Sequence, residues 1–363
     1  MKVLHVESGR YLYGGALQVA YLLEGLEQRG IECVLVCRNG SAIADRLRNR
    51  VSQLYEISMG GDLDLGMIWR IRRIIKQEQP DLVHLHSRRG AEILGGLAAR
   101  MAHVPVVLSR RVDNPEAAYV VRWKYRLYDK VITISEGIYR VLLKEGVDAD
   151  KLVCVRSAVS PDAYQHACDD TWFYETFGLD AADTTLGVIA QLIPRKGHRF
   201  LLEAMPELLV VFPSLKLLFF GQGPQAKQLA EQVEELGLKD QVIFAGFRTD
   251  LPRILPCLDL VVHPALMEGL GISLLQAAGA GVPIVAVNAG GMPEVVRDGR
   301  NGVLVPPGDT ASLSQAISRL LSDRSLMARM GRAGAELVER EFSIDRMVEG
   351  NLQVYRELCM TDG

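Results

Sequence analysis

The chain has 363 residues, 48% of them hydrophobic and 23% charged, with a net charge of −3. That composition excludes a disordered or low-complexity polypeptide, and the length suits two domains at about 150 residues each. The charge is uneven: residues 1–170 carry 24 Lys and Arg against 21 Asp and Glu, and the remainder 17 against 23. A mildly basic front half suits an anionic surface or acceptor, but it falls far short of a nucleic-acid footprint.

In chain order, short apolar runs alternate with helical periods, the pattern of βα units around a parallel sheet. The first strand, KVLHV, follows an N-terminus with too short an apolar stretch for a signal peptide, and no run reaches the ~18 apolar residues of a membrane span. A cytoplasmic chain is the expectation. The segment ALQVAYLLEGLEQRG reads as an amphipathic helix closed by Gly30. The strands CVLVC, DLVHLH, PVVLS, KVITIS and LVCV complete the first series. Six cysteines without a close CxxC pair argue against a zinc site or a disulfide framework, and Cys33 and Cys37 read as buried thiols.

From about residue 157 to 184 the sequence is polar and turn-rich, and a second series then begins: TLGVIAQL, LKLLFFG, VIFAG, DLVVHP, PIVAV and GVLVP. The expectation is two doubly wound α/β domains, residues 1–165 and 166–342. A final amphipathic segment of about 343–363 is placed to pack back on the first. Ligands of such folds gather at the C-terminal ends of the strands.

The junctions there carry glycines and cations. Gly14 and Gly15 stand at the mouth of the first helix, where a turn alone would also explain them. Arg195 and Lys196 open a helix, against the macrodipole, which an anionic ligand would offset; a solvated surface pair is the alternative. Gly221 and Gly223 loosen another loop, and Pro224 suits a first helical turn. In HPALMEGLGISLLQAAGAGVP, Gly269 and Gly271 allow a turn whose amides can face phosphate. Glu268 suits hydroxyl donors instead, and Gln276 follows on the helix. An acid beside an anion nest suits a ligand carrying both hydroxyls and phosphates, such as a sugar nucleotide. His86 ends a strand, with His84 deeper on the same face. His198 and His263 read as packing or surface. RWKYRLYDK reads either as an ordinary amphipathic helix or as a membrane-surface one.

Taken together, PALMEGLGISLLQAAGAGVPIVA, GGALQ, DLVHLHS, RKGHRFLLEAM, FFGQGP, VIFAGFRTDLP and GGMPEVVRDGRNGVLVPPGD resemble, in order and over nearly the whole chain, the retaining glycosyltransferases of family 4. The resemblance implies the GT-B fold, two Rossmann-like domains facing a central cleft. It implies that Glu268 contacts the transferred sugar and that amides of Leu270, Gly271 and Ile272 hold the diphosphate. Lys196 would neutralise the phosphates, and the backbone at Phe247 and Arg248 would frame the base. Gly14 and Gly15 would close over the phosphate from the acceptor-side domain. The resemblance implies no metal and no cofactor beyond a nucleotide-sugar co-substrate, taken as UDP-linked. The implied partners are that donor and a glycan or glycolipid acceptor, with association at the inner membrane surface and no nucleic acid.

Four positions depart from the family pattern. Gln276 replaces a glutamate that accepts from ribose hydroxyls, and Gln191 an arginine of the phosphate strand, for which Arg195 could substitute. Arg111 stands where a histidine is usual; arginine stays charged and suits anions rather than proton transfer. Ser157-Ala158-Val159-Ser160 replaces the usual N-G-x-D. The expected activity is transfer of a sugar with retention, in synthesis of a bacterial surface glycan such as lipopolysaccharide. A nucleotide-sugar epimerase of the same architecture and a non-catalytic sugar-nucleotide binder remain the alternatives.

Overall fold

The computed structural model describes residues 1–12, 14–86 and 90–360. The strands are β1 (Lys2–Glu7), β2 (Glu32–Arg38), β3 (Gln53–Ile57), β4 (Leu82–Leu85), β5 (Val106–Arg110), β6 (Lys130–Thr133) and β7 (Leu152–Cys154). The second series is β8 (Thr184–Ile189), β9 (Leu215–Phe220), β10 (Val242–Gly246), β11 (Leu260–His263), β12 (Ile284–Val287) and β13 (Gly302–Val305). Two sheets result, in the orders β3-β2-β1-β4-β5-β6-β7 and β10-β9-β8-β11-β12-β13. Every pairing is parallel. Both show the Rossmann-type doubly wound order, which reverses between β1 and β4 and again between β8 and β11. The fold class expected from the sequence is the one observed.

The central strands are buried on both faces, as β1 is from Val3 to Glu7, which is why they read as continuous apolar runs. β3 is the exception. Its sequence QLYEI is broken by Gln53 and Glu56, and it sits half-buried at the sheet edge, so the apolar-run criterion passes over it.

The chain divides into two compact units, one formed by Met1–Ala158 with the chain from Ile344 onward, the other by Val159–Ser343. Within the first, the C-terminal helix Ile344–Met360 lies against the helix Gly14–Glu27. Gly25 permits the contact, since a Cβ there would stand 2.5 Å from Val348 Cγ2. Residues 361–363 of the anticipated C-terminal segment lie outside the described residues. Gln18, buried on the first helix, brackets the backbone of Ala158, donating to its carbonyl at 2.6 Å and accepting from its amide at 2.7 Å.

The cysteine expectation is corrected. Cys33 and Cys37 are buried thiols, and burial pushes Cys37 up to about 11. Cys168 and Cys257, however, form a disulfide across a sequence separation of 89, with a Cα–Cα distance of 4.8 Å. Spacing along the chain carries no trace of a pair assembled this way. The same part of the second unit carries an Arg253–Asp169 ion pair and places Arg253 3.9 Å from the Trp172 ring centroid. Among the described residues, no helix is long and apolar enough to cross a membrane.

Candidate functional site

In the second unit, the loops after β8 and β11 meet where the strand order reverses. After β8 the chain makes a single 3-10 turn, Pro194–Lys196, and enters the helix His198–Val211. After β11 it passes Glu268 and reaches Gly271, whose φ of 94° is left-handed, before the helix Ile272–Gly279. A side chain at Gly271 would be strained in that conformation. The loop after β9 is held equally close: a Cβ at Gly221 would lie 1.9 Å from the Ala190 carbonyl oxygen. Gly223 occupies the same stretch, backed by Leu192.

These loops bring Lys196 and Glu268 into direct contact as a nearly buried ion pair. His263, at the end of β11, lies 3.2 Å through Nε2 from the same Glu268 oxygen. Burial alone would raise the Glu268 pKa, but the His263 hydrogen bond and the Lys196 charge overcome it and hold the carboxyl well below the usual range. Burial lowers the His263 pKa, so at neutral pH the ring is uncharged and donates through Nε2–H. His198 is also neutral, lowered to about 4 by burial, and packs edge-on against Phe219. The reading of His263 as packing or surface missed its bond to Glu268. The signal available was its place at a strand C-terminus, five residues before the acid.

Beyond the acid, the amides of Leu270 and Gly271 have no acceptor among the described residues. With Ile272 they form the start of a helix, where unpaired N–H groups and the macrodipole favour an anion. Gln276 lies on that helix, half-buried, and donates to the Tyr164 hydroxyl at 2.7 Å. Arg195 is half-buried beside Lys196, and its carbonyl accepts from the Leu266 amide. Gln191 is exposed at the start of the loop after β8. Phe247 is half-exposed after β10, and Arg248 is engaged by Asp250 at 2.8 Å.

In the first unit, the residues expected on the acceptor side come together in part. Gly14 begins the first helix, and a Cβ on Gly15 would stand 3.7 Å from Arg111 Cδ. The Arg111 guanidinium is pulled down to about 10 by burial, with Glu7 opposing. Arg111 also lies near enough to His84 and His86 to disfavour their protonation.

His5, His84 and His86 converge, with one ring nitrogen from each lying within 4.8 Å of the others, a donor set of the kind that takes a divalent cation. Four of their six ring nitrogens are engaged, while His5 Nε2 and His86 Nδ1 are buried with no hydrogen-bond partner among the described residues. His5 Nδ1 faces His86 Nε2 at 2.9 Å, and His84 is flanked by the Tyr355 hydroxyl and the Ser109 hydroxyl. With the cationic Arg111 beside them, the trio fits a polar core network better than a metal centre.

Two surface concavities of about 430 and 440 Å³ include neither Glu268 nor Lys196. One is lined by residues of 118–151, the other by polar and charged side chains on the outer faces of two second-unit helices, such as Arg199, Glu203 and Gln232.

Residues 13–163 match the model of glycosyltransferase family 4, and residues 175–337 that of the glycosyl transferases group 1. The chain belongs to the family 4 glycosyltransferases. Among its relatives, the 2-deoxystreptamine glucosyltransferase of Streptomyces kanamyceticus is 28% identical over 332 residues, 85% of each chain. A lipopolysaccharide core biosynthesis glycosyltransferase of Rhizobium meliloti, LpsE, is 26% identical and is covered, like this chain, over 98% of its length. Among solved structures, HepE of Anabaena in complex with UDP superposes with a TM-score of 0.87 at 21% identity, over 98% of this chain and all of the other. That likeness establishes the GT-B fold for this glycosyltransferase.

Proposed function

We propose that this glycosyltransferase moves a sugar from a UDP-linked donor to an acceptor hydroxyl with retention of anomeric configuration. The observation that carries the reading is the Glu268 carboxylate, held ionised by His263 and Lys196 beside the unpaired amides of Leu270 and Gly271. An ionised carboxylate accepts from sugar hydroxyls, and the amides suit the adjoining diphosphate. On arrival of the donor, Lys196 exchanges part of its contact with Glu268 for the phosphates. With Arg195 it stabilises charge on the departing diphosphate, while His263 keeps the acid in place. This is charge stabilisation aimed at the leaving group.

Retention fits a front-face reaction: the C–O bond to the diphosphate breaks, the acceptor oxygen bonds to the same face of the anomeric carbon, and the acceptor proton passes to the diphosphate oxygen. No metal is assigned a role, because cationic side chains and helix-start amides are positioned for the phosphates. Arg111, beside Gly15, suits an anionic group on the acceptor side. The relatives support a glycan acceptor; a bacterial surface glycan and work at the membrane's cytoplasmic face complete the reading.

The test is thermal stabilisation across a panel of nucleotide sugars, with Glu268→Ala beside wild type. One donor is expected to stabilise wild type beyond its bare nucleotide, and the variant to lose that increment. NMR of the product formed with that donor, in the presence of chelator, then reads retention and metal independence together. Absence of stabilisation by every nucleotide sugar, or a covalent glycosyl adduct on Glu268, would sink the reading.

A further inference from the structure

We infer that Tyr164 is a positioning residue that sets which face of the Gln276 amide meets the ligand, and thereby whether the site can recognise a nucleoside hydroxyl. The inference rests on the nucleotide-sugar reading above and adds a residue to it.

Tyr164 follows the turn Pro161–Ala163 at the start of the second unit and is 5% exposed. Its hydroxyl accepts from Gln276 Nε2 at 2.7 Å, across 112 residues of sequence. Gln276 Oε1, on the opposite side of the amide, has no partner among the described residues and belongs to a half-buried side chain on the helix that starts at Gly271.

A carboxylate is acceptor-only and presents an acceptor whichever way it turns, whereas an amide presents a donor or an acceptor depending on a half-turn. An unoriented glutamine at this position would offer the wrong group half the time. The bond to Tyr164 occupies the amine side and leaves the carbonyl oxygen for a hydroxyl donor. Pre-setting it also removes an ordering cost from binding. Tyr164 therefore restores in Gln276 the acceptor character that a carboxylate would have without help.

The experiment is calorimetric titration of the full chain with UDP and GDP and their 2′-deoxy and 3′-deoxy counterparts. Wild type is expected to prefer the ribonucleotide over at least one deoxy analogue by about tenfold, the scale of one hydrogen bond. Tyr164→Phe, which keeps the ring, is expected to lose most of that preference while binding the deoxy analogue as wild type does. Tyr164→Phe combined with Gln276→Glu is expected to regain it, because the carboxylate needs no orienting partner.

Unchanged discrimination in Tyr164→Phe overturns the inference and leaves the nucleotide-sugar reading standing. So does failure of the double variant to regain discrimination while its melting temperature matches that of Tyr164→Phe. A reversed amide, with its NH2 group toward the ligand, would appear as wild type showing no preference for the hydroxyl, which also overturns it. Absence of binding of either nucleotide to wild type overturns the inference and the reading together.

Discussion

At the scale of single residues, the proposed chemistry turns on one buried carboxylate with two partners of different kinds. Lys196 supplies charge and is the group a diphosphate would draw away; His263 supplies a neutral, directional donor that a phosphate does not compete for. Replacing His263 with Phe removes the donor and leaves burial, which raises the Glu268 pKa, opposed by Lys196 alone. The acid limb of the kcat/KM profile is therefore expected to move to higher pH in His263→Phe. The plateau should fall by about 10- to 100-fold, the value of a hydrogen bond to a charged group. A pH–rate profile checks this: an unmoved limb would show that His263 only fills space. The acid and the lysine were legible in the sequence because each follows a strand beside a glycine. The histidine's role was not, since the same local context also describes a packed core residue.

At the scale of elements, the loops after β8, β9 and β11 stand backbone against backbone, and side chains are excluded where they meet. Gly221→Ala would drive a methyl into the Ala190 carbonyl, which has no flexible end to swing aside. A loss of about 1–3 kcal/mol is expected, the usual cost of overpacking, read as a lower melting temperature by scanning calorimetry. Gly15→Ala is the contrasting case. Its Cβ would meet Arg111 at ordinary contact distance, and alanine is the better helix former, so stability should change by less than about 1 kcal/mol. Equal losses in the two variants would refute the close-approach argument. Sequence patterns found the buried strands at once, because strands covered on both faces are written as unbroken apolar runs. β3 escaped because a half-buried edge strand tolerates polar residues such as Gln53 and Glu56, which interrupt the apolar run.

At the scale of the whole molecule, five buried or nearly buried histidines share one thermodynamic consequence. His5, His84, His86, His198 and His263 all have pKa values lowered chiefly by burial, His5 to about 3 and His198 to about 4. Below the unfolded value of about 6.5, the unfolded chain binds protons that the native state refuses. Native stability is therefore fully present above that value and declines as pH falls from about 7 toward 4. Melting temperatures between pH 7.5 and 4.5 should show a steep acid decline. His5→Gln, relative to its own value at pH 7.5, should decline less steeply by about one proton. A flat profile in wild type would show that these rings titrate freely in the native state.

Local pattern by itself determined the two βα series and their strand C-termini, and it placed Glu268, Lys196 and the loop glycines at the ends of particular strands. These are properties of a few consecutive residues, so they can be read where they are written. Tertiary structure alone decided the partnerships. Lys196 meets Glu268 across 72 residues, Cys168 meets Cys257 across 89, and Gln276 meets Tyr164 across 112. The C-terminal helix likewise reaches the first unit only through packing, with Tyr355 against His84. Contacts of that kind depend on how the strand order winds and which faces become buried, and no spacing along the chain encodes them.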